Sequence, residues 1–240
     1  MSSKYSDYIP WYNKNGWVIL PNVFTEKEID FIYPEALRLR EMAQFITGWL
    51  GFGCASYFSE TLFKFYTSRK FYQLSRELLG KEVYLFNDEL VVKHPHDRFE
   101  FKPHYDNWFG PNKDSKIHTV NCYVVMDDIT AENGGIYILD TEKYKNPEKD
   151  LDETGFINKP VSDFYKKKMY LKKGDVLAVR GDTWHGGGIN TSNKTRAAYA
   201  CVFTEKPIKE KIHFKHIPEN TPKYFRTEKF ITHSGDLCTG

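Results

Sequence analysis

Beyond Gly80 the chain is patterned in short alternating runs, whereas two stretches of the first eighty residues repeat their apolar positions with helical spacing. Residues 16–20, Gly-Trp-Val-Ile-Leu, read as a first strand that Pro21 closes. Thr25 and Glu28 then form a capping box that starts a helix. Pro34 should end or kink that helix, because it brings no amide proton. A second helix is predicted over residues 68–79, with Phe71, Leu74, Ser75 and Leu78 on one face and Gly80 as its stop. Both helices are expected to buttress a sheet. Residues 45–65, rich in glycine and aromatics, fit neither period; such a segment could cover one mouth of a pocket.

Strands dominate afterwards. Residues 83–93 make a long one, with Asn87, Glu89, Val91 and Lys93 sharing a face, and residues 117–126 make another, with Asn121, Tyr123 and Val125 opposite Cys122, Val124 and Met126. Glu132-Asn133-Gly134-Gly135 is a tight turn into residues 136–139, and Glu132 has no catalytic part in it. Residues 169–171 and 176–180 are expected to pair as a hairpin through Lys172-Lys173-Gly174-Asp175, and the second strand delivers His185 just past its end. His94-Pro95-His96 reads as a loop with solvated imidazoles. Lys166, Lys167 and Lys168 read as a solvated face, with an anionic substrate as the alternative. The tail beyond Thr204 offers an edge strand at residues 211–215.

At 240 residues the chain suits one domain spanning 1–240, with residues 206–240 as a C-terminal extension. Lysine plus arginine number 34 against 32 acidic residues, so no strong field favours nucleic acid or an anionic membrane, and neither partner is expected. Aromatics at 16% suit a sheet-rich fold with a lined pocket and a small-molecule substrate. Cys54, Cys122, Cys201 and Cys238 show no Cys-x-x-Cys spacing and no disulfide density, which favours a reducing compartment. With no apolar signal core and no run near the ~18 residues of a membrane span, a soluble, cytoplasmic protein is expected. Nothing in the sequence bears on oligomeric state.

The chemistry gathers at Pro103-His104-Tyr105-Asp106-Asn107-Trp108. On an extended strand His104 and Asp106 would project from one side and reach a single ion. His185, heading His185-Gly186-Gly187-Gly188, is the best third ligand, and the glycines leave room for close backbone approach. Two histidines and one carboxylate make the facial triad of a non-haem iron(II) oxygenase. Arg196, at the head of the apolar run 197–203, could hold a dicarboxylate through a bidentate contact. Trp184 is expected to pack in the core, with substrate stacking as the alternative.

With these pieces in order, the chain resembles the phytanoyl-CoA dioxygenase family of iron(II)- and 2-oxoglutarate-dependent oxygenases. The resemblance rests on His104-Tyr105-Asp106, Asp127-Asp128-Ile129-Thr130-Ala131-Glu132-Asn133-Gly134-Gly135, Lys173-Gly174-Asp175-Val176, and His185-Gly186-Gly187-Gly188 through Arg196, over about residues 16 to 205. It implies a mainly β fold with flanking helices, a double-stranded β-helix or jelly-roll, cupin-like barrel. It also implies Fe(II) on His104, Asp106 and His185, and 2-oxoglutarate and O2 as co-substrates, with ascorbate as a supporting reductant. Arg196 would take the distal carboxylate, with Tyr123, Asn121 and Lys93 as further contacts; a lysine recurs at the position of Lys93, and an aromatic often packs on 2-oxoglutarate at that of Tyr123. The expected reaction is hydroxylation, with 2-oxoglutarate decarboxylated to succinate and CO2. A barrel using another metal for isomerase or hydrolase chemistry, or one that only binds a ligand, are the alternatives. Residues 140–168 depart from the family, so substrate choice does not transfer.

Overall fold

Two antiparallel sheets backed by helices make up the computed structural model, which describes residues 4–47, 51–53, 55–80, 83–108 and 117–206. The larger sheet runs from edge to edge as β1 (Trp17–Leu20), β8 (Val176–Arg180), β5 (Thr119–Val125), β10 (Arg196–Thr204), β3 (Tyr84–Lys93) and β2 (Gly51–Gly53). The smaller comprises β4 (Phe101–His104), β9 (His185–Gly187), β6 (Ile136–Leu139) and β7 (Lys166–Lys168). This is the mainly β, jelly-roll type of fold that the sequence implies, although the two sheets do not close into a continuous barrel among the described residues.

Period-two alternation decides what each face of the larger sheet meets. On β10, Ala197, Tyr199, Cys201 and Phe203 turn toward the helices and join an apolar cluster with Leu90, Val92, Val120, Cys122 and Val124. Ala198 turns the other way, with Val125, Leu177 and Val179, and packs on Ile136 and Ile138 of the smaller sheet. The space between the sheets is therefore lined by alternate residues of β3, β5 and β10. The face of Asn87, Glu89, Val91 and Lys93 looks into that space, and Lys93 is fully buried.

The helices follow their caps. α1 (Ile9–Asn15) is too short to carry a readable period. α2 (Glu26–Thr47) opens on the expected capping box: the Glu28 carboxylate accepts from the Thr25 amide at 2.8 Å, and the Glu28 amide donates to Thr25 Oγ1 at 3.3 Å. Of the two expected effects of Pro34, ending the helix is not the one seen, since α2 runs on through it. Pro34 and Asp30 both lie on the exposed side, where water can satisfy the carbonyl that proline leaves without a donor. α3 (Glu60–Tyr66), capped by Ser59, occupies part of the stretch that fits neither period, and α4 (Arg69–Leu79) buries Phe71, Leu74, Ser75 and Leu78 as read and ends at a left-handed Gly80.

Three further expectations need correction. Residues 169–171 do not pair with β8, because β1 and β5 already occupy both edges of that strand; Leu171 instead bridges Ile129, and the turn at 172–175 carries the chain between sheets. His104 ends β4, and Asp106 lies in a 3-10 turn (Asp106–Trp108) rather than on an extended strand. Residues 211–215, Cys54 and Cys238 lie outside the described residues; Cys122 and Cys201 are buried free thiols. No helix of the described residues is long and apolar enough to cross a membrane.

One buried acid fixes the connection between α2 and α3 onto the sheet. Asp88 on β3 is fully buried and accepts from the Ser56 amide at 2.8 Å, the Ser56 hydroxyl at 2.7 Å and the Tyr199 hydroxyl at 2.7 Å. Burial, only partly offset by these donors, raises its carboxyl to about 6. Asp88→Ala leaves those donors without a partner and should cost about 2–4 kcal/mol in urea unfolding. Because the folded value lies above the unfolded one, the contribution of Asp88 to stability is complete below about pH 4 and declines as pH rises through about 6. The gap between wild type and variant should therefore narrow from pH 5 to pH 7.5; a gap that widens would contradict this account.

Candidate functional site

His104 closes β4 directly opposite His185, the first residue of β9, and their rings lie 4.5 Å apart between centroids. The turn after His104 then folds Asp106 back, so that its Oδ1 lies 3.8 Å from His104 Nε2 and 3.6 Å from His185 Nε2. Candidate ligand atoms of the three side chains all fall within 4.8 Å of one another. The convergence read from the sequence is therefore present, produced by a strand end and a turn.

Both imidazoles are pre-oriented. Nδ1 of His104 lies 2.7 Å from the Lys102 carbonyl, and Nδ1 of His185 lies 2.9 Å from that of Thr183. A carbonyl can only accept, so each Nδ1 carries the proton and each Nε2 directs its lone pair at the shared space. Burial and the facing His185 push the His104 imidazole down to about 4, against the pull of Asp106, which keeps it neutral and able to ligate at physiological pH. Two imidazoles and a carboxylate oxygen suit a divalent transition metal with open positions.

A second feature lies deeper between the sheets. Arg196 and Lys93 are directly opposed residues of β10 and β3, both buried. The Arg196 guanidinium donates to the carbonyls of Asn133, at 3.3 Å, and Gly134. The Lys93 ammonium donates to the carbonyls of Phe99, at 3.2 Å, and Gly188. Gly134, at φ +79°, is required here twice over: L side chains rarely adopt that backbone, and a Cβ would stand 2.7 Å from Lys93 Cδ. Burial lowers Arg196 to about 10; burial, then the adjacent Arg196, lowers Lys93 to about 7. Among the described residues their hydrogen bonds go to neutral carbonyls, with Asp127 nearby as an electrostatic partner of Arg196 and Asp97 and Glu100 as those of Lys93, so an anion reaching the pair would favour its charged form.

Tyr123 stands by the triad. Its hydroxyl lies 3.0 Å from His185 Nε2, and burial with the nearby Asp106 and Glu89 raises its phenol well above the ordinary value. Asn121, two residues back on the same face, donates from Nδ2 to Asp106 Oδ2 at 3.0 Å, so it contacts a triad residue rather than the cation pair. Trp184 is 5% exposed and packs edge-on against Tyr105, which is core packing. The alternative that it stacks on substrate gains nothing. His94 and His96 lie in and beside a turn, and Lys166 and Lys168 pair with Asp163 while Lys167 pairs with Asp140, as solvated faces do. Gly186 does provide a close approach: a Cβ there would meet the Phe101 carbonyl at 2.6 Å.

Phe156 is a contact that sequence reasoning missed. Its ring packs 5.2 Å from that of His104, and the next residue, Ile157, donates its amide to the Pro103 carbonyl at 2.9 Å. No motif marks it, because it sits in the polar 140–168 segment and reaches the site only through tertiary pairing with β4.

The family model described as "Phytanoyl-CoA dioxygenase (PhyH)" matches residues 12–198. No curated protein matches the chain. Among solved structures with the same fold is the non-haem alpha-ketoglutarate-dependent epimerase SnoN from nogalamycin biosynthesis, at 20% identity and TM-score 0.67, covering 84% of this chain and 83% of that one. The carbocyclase SnoK of the same biosynthesis is similar at 17% identity and TM-score 0.67, covering 86% and 85%. EvdO2 from Micromonospora carbonacea var. aurantiaca, solved with 2-oxoglutarate, is similar at 17% identity and TM-score 0.65, covering 90% and 95%.

Proposed function

The chain belongs to the phytanoyl-CoA dioxygenase family, and from that membership we propose that it is an iron(II)- and 2-oxoglutarate-dependent oxygenase that hydroxylates a small-molecule substrate. The observation that carries the reading is the pairing of two features in one space: a His104–Asp106–His185 donor set and, further between the same sheets, the Lys93–Arg196 cation pair. Fe(II) with 2-oxoglutarate and O2 supplies an oxidant for a substrate C–H bond while 2-oxoglutarate becomes succinate and CO2.

The chain's own residues perform the rest. His104, Asp106 and His185 would hold the metal, which would supply a site open to co-substrate. Arg196 and Lys93 would bind the distal carboxylate, where their burial limits competition from water. The Tyr123 hydroxyl, 3.0 Å from His185 Nε2, would give up that nitrogen to a bound metal. Phe156 shields the His104 side from solvent and limits how a substrate approaches.

An epimerase and a carbocyclase are among the similar solved structures, so product analysis must separate hydroxylation from inversion and ring closure. The direct test is anaerobic addition of Fe(II) and 2-oxoglutarate to metal-free protein. A weak visible charge-transfer band is expected, followed in air by succinate release that rises with the true substrate in a panel assayed with ascorbate. Absence of the band from iron-loaded protein, or a zinc or manganese protein indifferent to 2-oxoglutarate, would overturn the reading.

A further inference from the structure

Asn121 holds one of the triad residues and leaves half of its own amide unsatisfied. Nδ2 donates to Asp106 Oδ2 at 3.0 Å, while Oδ1 is buried with no hydrogen-bond partner among the described residues. The side chain lies on the inward face of β5, where Val179 of β8 and Val202 of β10 are its cross-strand neighbours. An orphaned acceptor in such a place destabilises the fold, and a leucine, branched at the same carbon though bulkier, would not carry that penalty. What offsets the cost must lie at the other end of the amide.

That end acts on the geometry of Asp106. Oδ1 faces both imidazoles, at 3.6 and 3.8 Å, and Oδ2 is the oxygen that Asn121 holds. Without this hydrogen bond the carboxylate is free to rotate and offer both oxygens to a cation. We infer that Asn121 is a positioning residue that makes Asp106 a one-oxygen ligand, which keeps a coordination position open for the two-point binding of 2-oxoglutarate. The inference rests on the proposed metal site and assigns Asn121 to the ligand carboxylate, in place of a contact to 2-oxoglutarate itself.

Co(II) is the probe, titrated into metal-free protein and followed by its visible absorption, with 2-oxoglutarate added afterwards. Relative to wild type, Asn121→Leu should bind Co(II) about tenfold or more weakly. The Co(II)-loaded variant should then bind 2-oxoglutarate more weakly and show altered absorption intensity, the mark of changed coordination. The unfolding midpoint of the metal-free variant should equal or exceed that of wild type, since the orphaned acceptor is gone. Asn121→Val, which removes the donor without adding a charge, should weaken Co(II) in the same direction and serves if the leucine variant misfolds. Wild-type affinity and spectrum in both variants would overturn the inference alone. A wild type that binds no Co(II) would remove the metal reading as well.

Discussion

Arg196→Ala raises the 2-oxoglutarate concentration for half-maximal turnover by about 100-fold or more, while Co(II) affinity stays within about threefold of wild type. Loss of a charge-assisted, water-excluded contact is worth roughly 3–4 kcal/mol, and each 1.4 kcal/mol is about a factor of ten. Lys93 remains beside the vacancy, so weakened binding rather than complete loss is expected. Arg196→Lys should fall between the two, because an ammonium restores charge without the planar fork that matches a carboxylate. The measurement is succinate release against 2-oxoglutarate, with metal titrated separately. An unchanged requirement, or metal lost in parallel, would show that Arg196 does not do this work.

Asp106→Ala should reduce Co(II) affinity by about 100-fold or more and bring succinate release to background. Residues that hydrogen-bond to metal ligands typically matter by about 10–100-fold, and a direct ligand should exceed them. The structure adds a reason for severity. Asp106 lies within 4 Å of both Nε2 atoms, so its removal takes away the anion that faces both histidines and strands the Asn121 amide as well. Far less change is expected in the unfolding midpoint of the metal-free protein, since Asp106 sits in a turn at the edge of the cavity. A variant that retains metal and turnover would refute the triad.

Much of this site is readable because its chemistry is carried by residue types with few other uses in such spacing. His104, Asp106 and His185 converge as read, and Arg196 and Lys93 are both buried, opposed on β10 and β3. Asp88 illustrates what is not readable. Within β3 it looks like one more polar residue, and only the packing of Ser56 and Tyr199 against it reveals a buried anchor. Phe156 is similar, one of four aromatics in the polar 140–168 stretch, singled out only because the chain there folds back on Pro103. Pro34 inside α2 is a related case: the cost of its missing amide depends on whether the carbonyl it abandons faces water.

From the sequence alone come the donor set, the alternation that puts Tyr123 and Asn121 on one face of β5, the cap that starts α2 and the glycine that stops α4. Each is local, fixed by the identity of a side chain or by a period of two or 3.6 residues along the backbone. The tertiary structure decided how strands pair across sheets, that a turn rather than a strand brings Asp106 back to the imidazoles, and which amide oxygen is left without a donor. Those outcomes depend on which edges remain free to hydrogen-bond and on what burial does to a charge. Both are properties of the assembled sheets, and no stretch of residues carries them by itself.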